Sequence, residues 1–261
     1  MRRLLVLACG LVLGSTGADV GAGARQVKPL PTIAPSCVDS SFPSGDGKVR
    51  ARLCLPVGAS KTNRVPAVVV LHGCGGFGVV DEVLTRDLPR HGIATSLVDY
   101  FGLTPPPSRL KGFCRAHLGL EQAFATWERI TIDATRALEH RPEVDPGRIG
   151  AIGWSLGGGL VLQTAQSRPR LLRVLVLVST GTFDAKLANV RRLPPTLVLS
   201  AGKGEGLSAP YIVALYRTLR RAGVTAELRV FPDGDHAWKR PGQTAALERW
   251  TADFLERHLV A

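Results

Sequence analysis

Gly153-Trp154-Ser155-Leu156-Gly157 fits the pattern G-x-S-x-G. It closes the apolar stretch 149–154 and opens a small-residue run with helical character. Glycines on both sides of the serine suit a sharp strand-to-helix turn, where neighbouring backbone passes too close for a side chain. At the apex of such a turn the Ser155 hydroxyl stands exposed above a sheet. The start of the following helix adds N–H groups and a dipole that favour developing negative charge. The competing reading is a purely structural turn in a chain with 29 glycines, and the strand–turn–helix context argues against it.

A serine hydroxyl is a poor nucleophile until a base takes its proton. With the serine on such a turn, the chain order is serine, acid, histidine, so the base comes late. Of six histidines, only His236 and His258 follow the second half of the alternating pattern. His258 sits in a terminal amphipathic run and is expected to face solvent. His236 lies in Pro232-Asp233-Gly234-Asp235-His236, a loop after a strand, where catalytic groups collect in open α/β sheets. The acid belongs in the loop after the strand 196–200, and Glu205 is the carboxylate there. It would hold His236 in the right tautomer and stabilise its cation. Asp184, one loop earlier, is the rival, while Asp233 and Asp235 are too close to His236 in sequence. His72-Gly73-Cys74-Gly75-Gly76 follows another apolar run, and its glycines let backbone N–H groups turn toward a substrate oxygen. The backbone amides of Cys74 and Leu156 are therefore the candidate oxyanion hole. Cys74 as nucleophile is the weaker idea, since it has no elbow, and His72 reads as structural.

The elements that must position these residues alternate. Residues 65–71 form a continuous apolar run, as a strand buried on both faces requires. Strand character recurs at 93–98, 149–154, 172–178, 196–200 and 226–231. Helical spacing appears at 81–91, 121–140, 156–167, 209–222 and 244–258, with Asp145-Pro146-Gly147 as a turn before the strand at 149. Ser44-Gly45-Asp46-Gly47 is a turn signal between strand-like stretches 38–42 and 48–55. The alternation predicts a doubly wound, mainly parallel sheet with helices on both faces and an antiparallel N-terminal edge hairpin. No repeat, long linker or composition break interrupts residues 25–261, so one domain is expected there.

The glycine-rich segment at 72–76, the elbow Gly153-Trp154-Ser155-Leu156-Gly157-Gly158, the pair Asp235-His236 and Asp99-Tyr100-Phe101-Gly102 together resemble the dienelactone hydrolase family of α/β-hydrolases. The resemblance spans about residues 36–260 and implies an α/β-hydrolase fold and a hydrolytic acyl transfer. Two departures stand out. Dienelactone hydrolases proper carry a cysteine nucleophile where this chain has Ser155, and their acid is usually Asp where this chain offers Glu205. The first departure favours an ester or related acyl substrate over a true dienelactone. A noncatalytic binding protein on the same fold is the alternative from another class.

Met1-Arg2-Arg3, the apolar stretch 4–13 and the small residues after it have the anatomy of a secretory signal peptide, with cleavage after Ala18 or Ala24. Export leaves Cys37, Cys54, Cys74 and Cys114, an even number compatible with disulfides. Cys37 and Cys54 are equidistant from the middle of the 44–47 turn, so in a regular hairpin they face each other. The hydrophobic fraction of 45% excludes a largely disordered chain, and the longest apolar run is too short to span a bilayer.

The formal charge is +12, from 33 Lys and Arg against 21 Asp and Glu. The basic residues are scattered along the chain and aromatics are only 6%, a pattern unlike a nucleic-acid binder and closer to a solvated basic surface. Arg109 and Arg115, in the Gly- and Pro-rich excursion 102–114 and just past it, are candidates for a substrate carboxylate, though surface roles suit them better. No His, Cys or Asp cluster has metal-ligand spacing, and no cofactor is implied. Mass spectrometry of protein from the native host is expected to find the mature chain starting near Asp19 or Arg25. Recovery of intact Met1 from the cytoplasm would contradict export.

Overall fold

The computed structural model describes residues 36–103, 120–180, 187 and 189–260. The leader, Arg109, Cys114, Arg115 and Asp184 lie outside them. The described residues fall within one compact unit, Ile33–Ala261.

An apolar run such as 65–71 is satisfied only where both faces of a strand are covered. Eight strands supply that setting: β1 (Ser36–Ser44), β2 (Gly47–Leu55), β3 (Val65–Leu71), β4 (Ala94–Val98), β5 (Val144–Trp154), β6 (Leu175–Val178), β7 (Thr196–Ser200) and β8 (Ala226–Val230). They form one sheet in the order β1-β2-β4-β3-β5-β6-β7-β8. The pairs β1–β2 and β2–β4 are antiparallel and every other neighbouring pair is parallel. This is the α/β-hydrolase sheet with its antiparallel edge hairpin. Cys37 pairs with Cys54 in the hairpin register, and the two form a disulfide.

Among the described residues five helices cover the sheet: α1 (Val79–Asp87), α2 (Leu120–Glu139), α3 (Leu156–Ser167), α4 (Ala209–Arg221) and α5 (Gln243–Leu255). Side chains alternate across a strand, so β3 sends Ala67, Val69 and Leu71 to one core and Val68 and Val70 to the other. The first core takes Trp127, Ile130, Ala134 and Leu138 from α2, with the inner faces of α3 and α4. The second takes Val80 and Leu84 from α1 and Leu247, Phe254 and Leu255 from α5. Among the described residues no helix is long and apolar enough to cross a membrane.

Three local readings change. The helix expected over 81–91 ends at Asp87 and tightens into a 3-10 turn, Leu88–His91. Pro89 cannot donate to the preceding turn, so the α-helix stops there. Asp145-Pro146-Gly147 does not precede β5 but bulges within it, between the pairs Val65–Val144 and Ala67–Ile149. The Asp145 carboxylate holds the bulge by accepting from the Gly147 N–H at 2.9 Å and from Arg148 Nε at 2.7 Å. His258 is half-buried rather than solvent-facing, packs 4.5 Å from the Phe254 ring, and is pushed toward neutrality by desolvation.

One buried carboxyl belongs to the fold itself. Asp81, in the first turn of α1, accepts the Gly78 N–H at 3.0 Å, while its other oxygen is buried without a partner. Burial raises its pKa from an ordinary 3.8 to about 7. Between those values the folded chain keeps a proton that the unfolded chain releases. Stability therefore falls as pH rises through that window, by up to about 1.4 kcal/mol per pH unit from this group. Urea unfolding at about pH 5 and about pH 7 is expected to show Asp81→Asn gaining on the parent chain at the higher pH. A difference between the two proteins that stays flat with pH contradicts this reading.

Candidate active site

Because β3 and β5 to β8 run parallel, their C-terminal ends share one edge of the sheet, and the loops leaving them meet there. The elbow after β5 is the tightest. Ser155 has φ 52° and ψ −112°, a left-handed backbone that L-residues rarely adopt. Its N–H donates to the Val178 carbonyl at 2.8 Å, and its own carbonyl accepts from Gly158, Gly159 and the Thr180 hydroxyl at 3.1–3.2 Å. The glycines are there for close approach. A Cβ on Gly153 would strike the backbone of Gly157 and Gly158, and one on Gly157 would strike the carbonyls of Leu71 and His72. The second contact seats the 72–76 loop directly against the start of α3.

That loop turns on a Gly76 N–H to Gly73 carbonyl bond of 3.1 Å. Cys74 in it is buried and disulfide-bonded, which removes it as a free thiol nucleophile. Leu156 is the first residue of α3, so its N–H has no intrahelical acceptor. His72 is buried, stacks 4.1 Å from Tyr100 and donates from Nδ1 to the Gly73 carbonyl at 2.8 Å; burial lowers its pKa. The Tyr100 hydroxyl donates to the His72 carbonyl at 2.8 Å. His72 is thus a structural part of the loop, as its position in the sequence suggests.

His236 lies in the loop after β8, with its Nε2 3.2 Å from Ser155 Oγ and its Nδ1 2.7 Å from Glu205 Oε2. The carboxylate can only accept, so Nδ1 carries the proton and the Nε2 lone pair faces the serine hydroxyl. Several contacts hold the loop. Gln243, fully buried, accepts the Asp235 N–H at 3.1 Å and donates to the Asp235 carbonyl at 2.9 Å. Trp154, beside the serine, donates to the His236 carbonyl at 3.0 Å. Asp235 itself accepts from the Lys239 N–H, a role confined to shaping the loop.

Glu205 sits in a 3-10 turn after β7, Gly202–Ser208, and its side chain has no exposed surface. Oε1 accepts the Ser179 hydroxyl at 2.5 Å and the Ala201 N–H at 2.7 Å, opposite the oxygen that takes His236. Ser179 Oγ in turn accepts the indole N–H of Trp238 at 2.8 Å, and Trp238 is fully buried. Ser179 and Trp238 were not singled out in the sequence. Two hydroxyls, Ser179 and Thr180, at the end of an otherwise apolar strand were the available signal. Asp184, the rival acid, is outside the described residues. Among those residues the Glu205–His236–Ser155 line is continuous, and it can move a proton from Oγ to Nε2 beside the N–H of Leu156. Among the same residues no group of three or more His, Cys, Asp or Glu could hold a metal ion.

The sequence model of the dienelactone hydrolase family matches residues 49–259. A 200-residue stretch, 75% of this chain, is 28% identical to polyketide synthase ThaQ of Burkholderia thailandensis and spans 8% of that protein's length. A dienelactone hydrolase from Anabaena variabilis superposes with a TM-score of 0.69 at 22% identity, over 87% of this chain and 100% of that one. A thermostable carboxylesterase cloned from a metagenomic library gives 0.67 at 20% identity, over 86% of this chain and 90% of its own. At these identities the two solved structures speak to the fold.

Proposed function

The chain belongs to the dienelactone hydrolase family, and from that premise we propose that it is an exported serine hydrolase that cleaves small carboxylic esters through an acyl-enzyme. The observation that carries the proposal is the pair of bonds at His236, 3.2 Å to Ser155 Oγ and 2.7 Å to Glu205. Both are within the reach that general-base activation needs.

In this mechanism Ser155 Oγ attacks the ester carbonyl carbon while His236 Nε2 takes its proton. The negative charge moves to the carbonyl oxygen and is met by the backbone N–H groups of Leu156 and Cys74. The tetrahedral intermediate collapses, the C–O bond to the alcohol breaks, and His236 returns the proton to the leaving oxygen. Water then attacks the acyl-enzyme with His236 again as base, releasing the acid and restoring Ser155. Glu205 fixes the Nδ1–H tautomer and stabilises the imidazolium as it forms. A serine at the elbow, in place of the cysteine of dienelactone hydrolases proper, supports a simple ester as substrate. Export is supported by the leader-like N-terminus together with the Cys37–Cys54 disulfide.

Glu205→Gln keeps the side chain's size but removes the charge and permits the wrong tautomer. It is expected to lower kcat by about 10³- to 10⁴-fold with circular dichroism unchanged. Asp184→Asn is expected to leave kcat/KM for the same p-nitrophenyl ester within about threefold. Loss of activity in Asp184→Asn but not in Glu205→Gln would move the acid to the earlier loop. Indifference to both, with Ser155→Ala inactive, would reduce the machinery to a Ser–His dyad.

A further inference from the structure

The arginines that the sequence scatters are gathered by the topology at one pole. Strands β6, β7 and β8 are parallel neighbours, so the segments entering them lie side by side. Arg168, Arg170 and Arg173 precede β6, Arg191 and Arg192 precede β7, and Arg220 and Arg221 precede β8. The three segments are in contact. Asn189 Nδ2 donates to the Gln166 carbonyl at 3.3 Å at the end of α3, and the 3-10 turn Val190–Arg192 packs against α4. Backbone bonds from Leu175 to Pro195 and from Thr196 to Thr225 close the gaps between them.

Residues 168–174, 189–195 and 220–225 contain these seven arginines and no Asp or Glu. All seven are exposed, and among the described residues none is in an ion pair. Several arginines elsewhere in the fold are paired: Arg50 with Asp99, Arg86 and Arg90 with Asp87, Arg148 with Asp145, and Arg257 with Glu227. The negative ends of α3 and α4 account for Arg168, Arg220 and Arg221. They do not account for Arg170, Arg173, Arg191 and Arg192, which lie beyond the helices.

We infer that this pole docks the protein onto an anionic phospholipid surface. Guanidinium groups fit phosphate bidentately, and each basic residue near a negatively charged leaflet adds to the attraction. The three segments contain no aromatic residue on which nucleic-acid bases could stack, which favours lipid over nucleic acid. They also offer no exposed large apolar side chain for insertion, so the attachment is electrostatic and salt-sensitive. Ser155, Glu205 and His236 follow the opposite, C-terminal ends of β5, β7 and β8. A docked molecule would therefore hold its catalytic edge away from the lipid and open to soluble esters. The inference does not depend on which residues perform the hydrolysis.

The test is co-sedimentation of the folded protein with vesicles of phosphatidylcholine, alone or with about one-third phosphatidylglycerol, at low and near-physiological salt. Binding only to the anionic vesicles, weakened by salt, is expected. The triple variant Arg173→Glu, Arg191→Glu, Arg192→Glu should bind at least about tenfold more weakly. The control triple Lys48→Glu, Arg136→Glu, Arg249→Glu changes the net charge equally at exposed sites elsewhere and should stay within about threefold of the parent. Ester kcat/KM in solution should be unchanged in both, which also verifies folding. Equal losses in the two triples would make net charge the cause and overturn the docking face. No binding by the parent chain, or equal binding to neutral vesicles, would overturn it too. Duplex DNA binding as tight as that to anionic vesicles at the same salt would replace the lipid with a general polyanion.

Discussion

A carboxylate with no exposed surface must have its charge met inside the protein, and Glu205 sets that requirement here. Three donors meet it: the His236 ring, the Ser179 hydroxyl and the Ala201 N–H. They come from three loops, after β8, β6 and β7. Each of those loops must be correctly docked before the charge is satisfied. Pairing the carboxylate therefore fixes the imidazole relative to the serine and couples the ends of four parallel strands. Gly202 and Gly204 serve the same end, since a Cβ on either would strike the backbone of the His236 loop. The fold's order, with β5 to β8 adjacent and parallel, brings the three loops within reach of one another.

The arrangement carries backbone strain. Ser155, Ser179 and Trp238 all have φ between 51° and 59°, and with Arg170 they are the non-glycine residues of positive φ among those described. Such conformations cost about 1–3 kcal/mol each and persist where surrounding structure over-determines them. All three lie in one hydrogen-bonded set around Glu205 and Ser155. At Ser155 the conformation lifts the hydroxyl out of the sheet toward His236. At Ser179 and Trp238 it aims a hydroxyl and an indole N–H along the line to Oε1. The bonds to the charged carboxylate are of the stronger kind, which helps offset the cost.

Much of this was legible in the sequence because it depended on local pattern. The elbow showed itself through two glycines around a serine at a strand end, and the apolar run 65–71 implied coverage on both faces. The Cys37–Cys54 pairing followed from symmetry about a turn, which a hairpin register enforces. Glu205 stood out as the carboxylate in its loop. Other features depended on tertiary contact and left weaker traces. Ser179 and Trp238 meet only because β6 and the β8 loop converge. The Asp145-Pro146-Gly147 segment read as a turn, and its turn chemistry is present, but the strand continues past it as a bulge. The arginines looked scattered because sequence separation hides the adjacency of strand entries, which parallel topology restores.

The central claim is that Ser155 is a nucleophile activated by His236. A fluorophosphonate probe reports on that directly, because it phosphonylates only a serine whose proton can be removed and whose oxyanion is supported. Peptide mapping after labelling is predicted to place one phosphonyl group on the Ser155 peptide, with labelling abolished in His236→Ala. An unlabelled Ser155 in protein that still hydrolyses esters, or a label that persists without His236, would contradict the account.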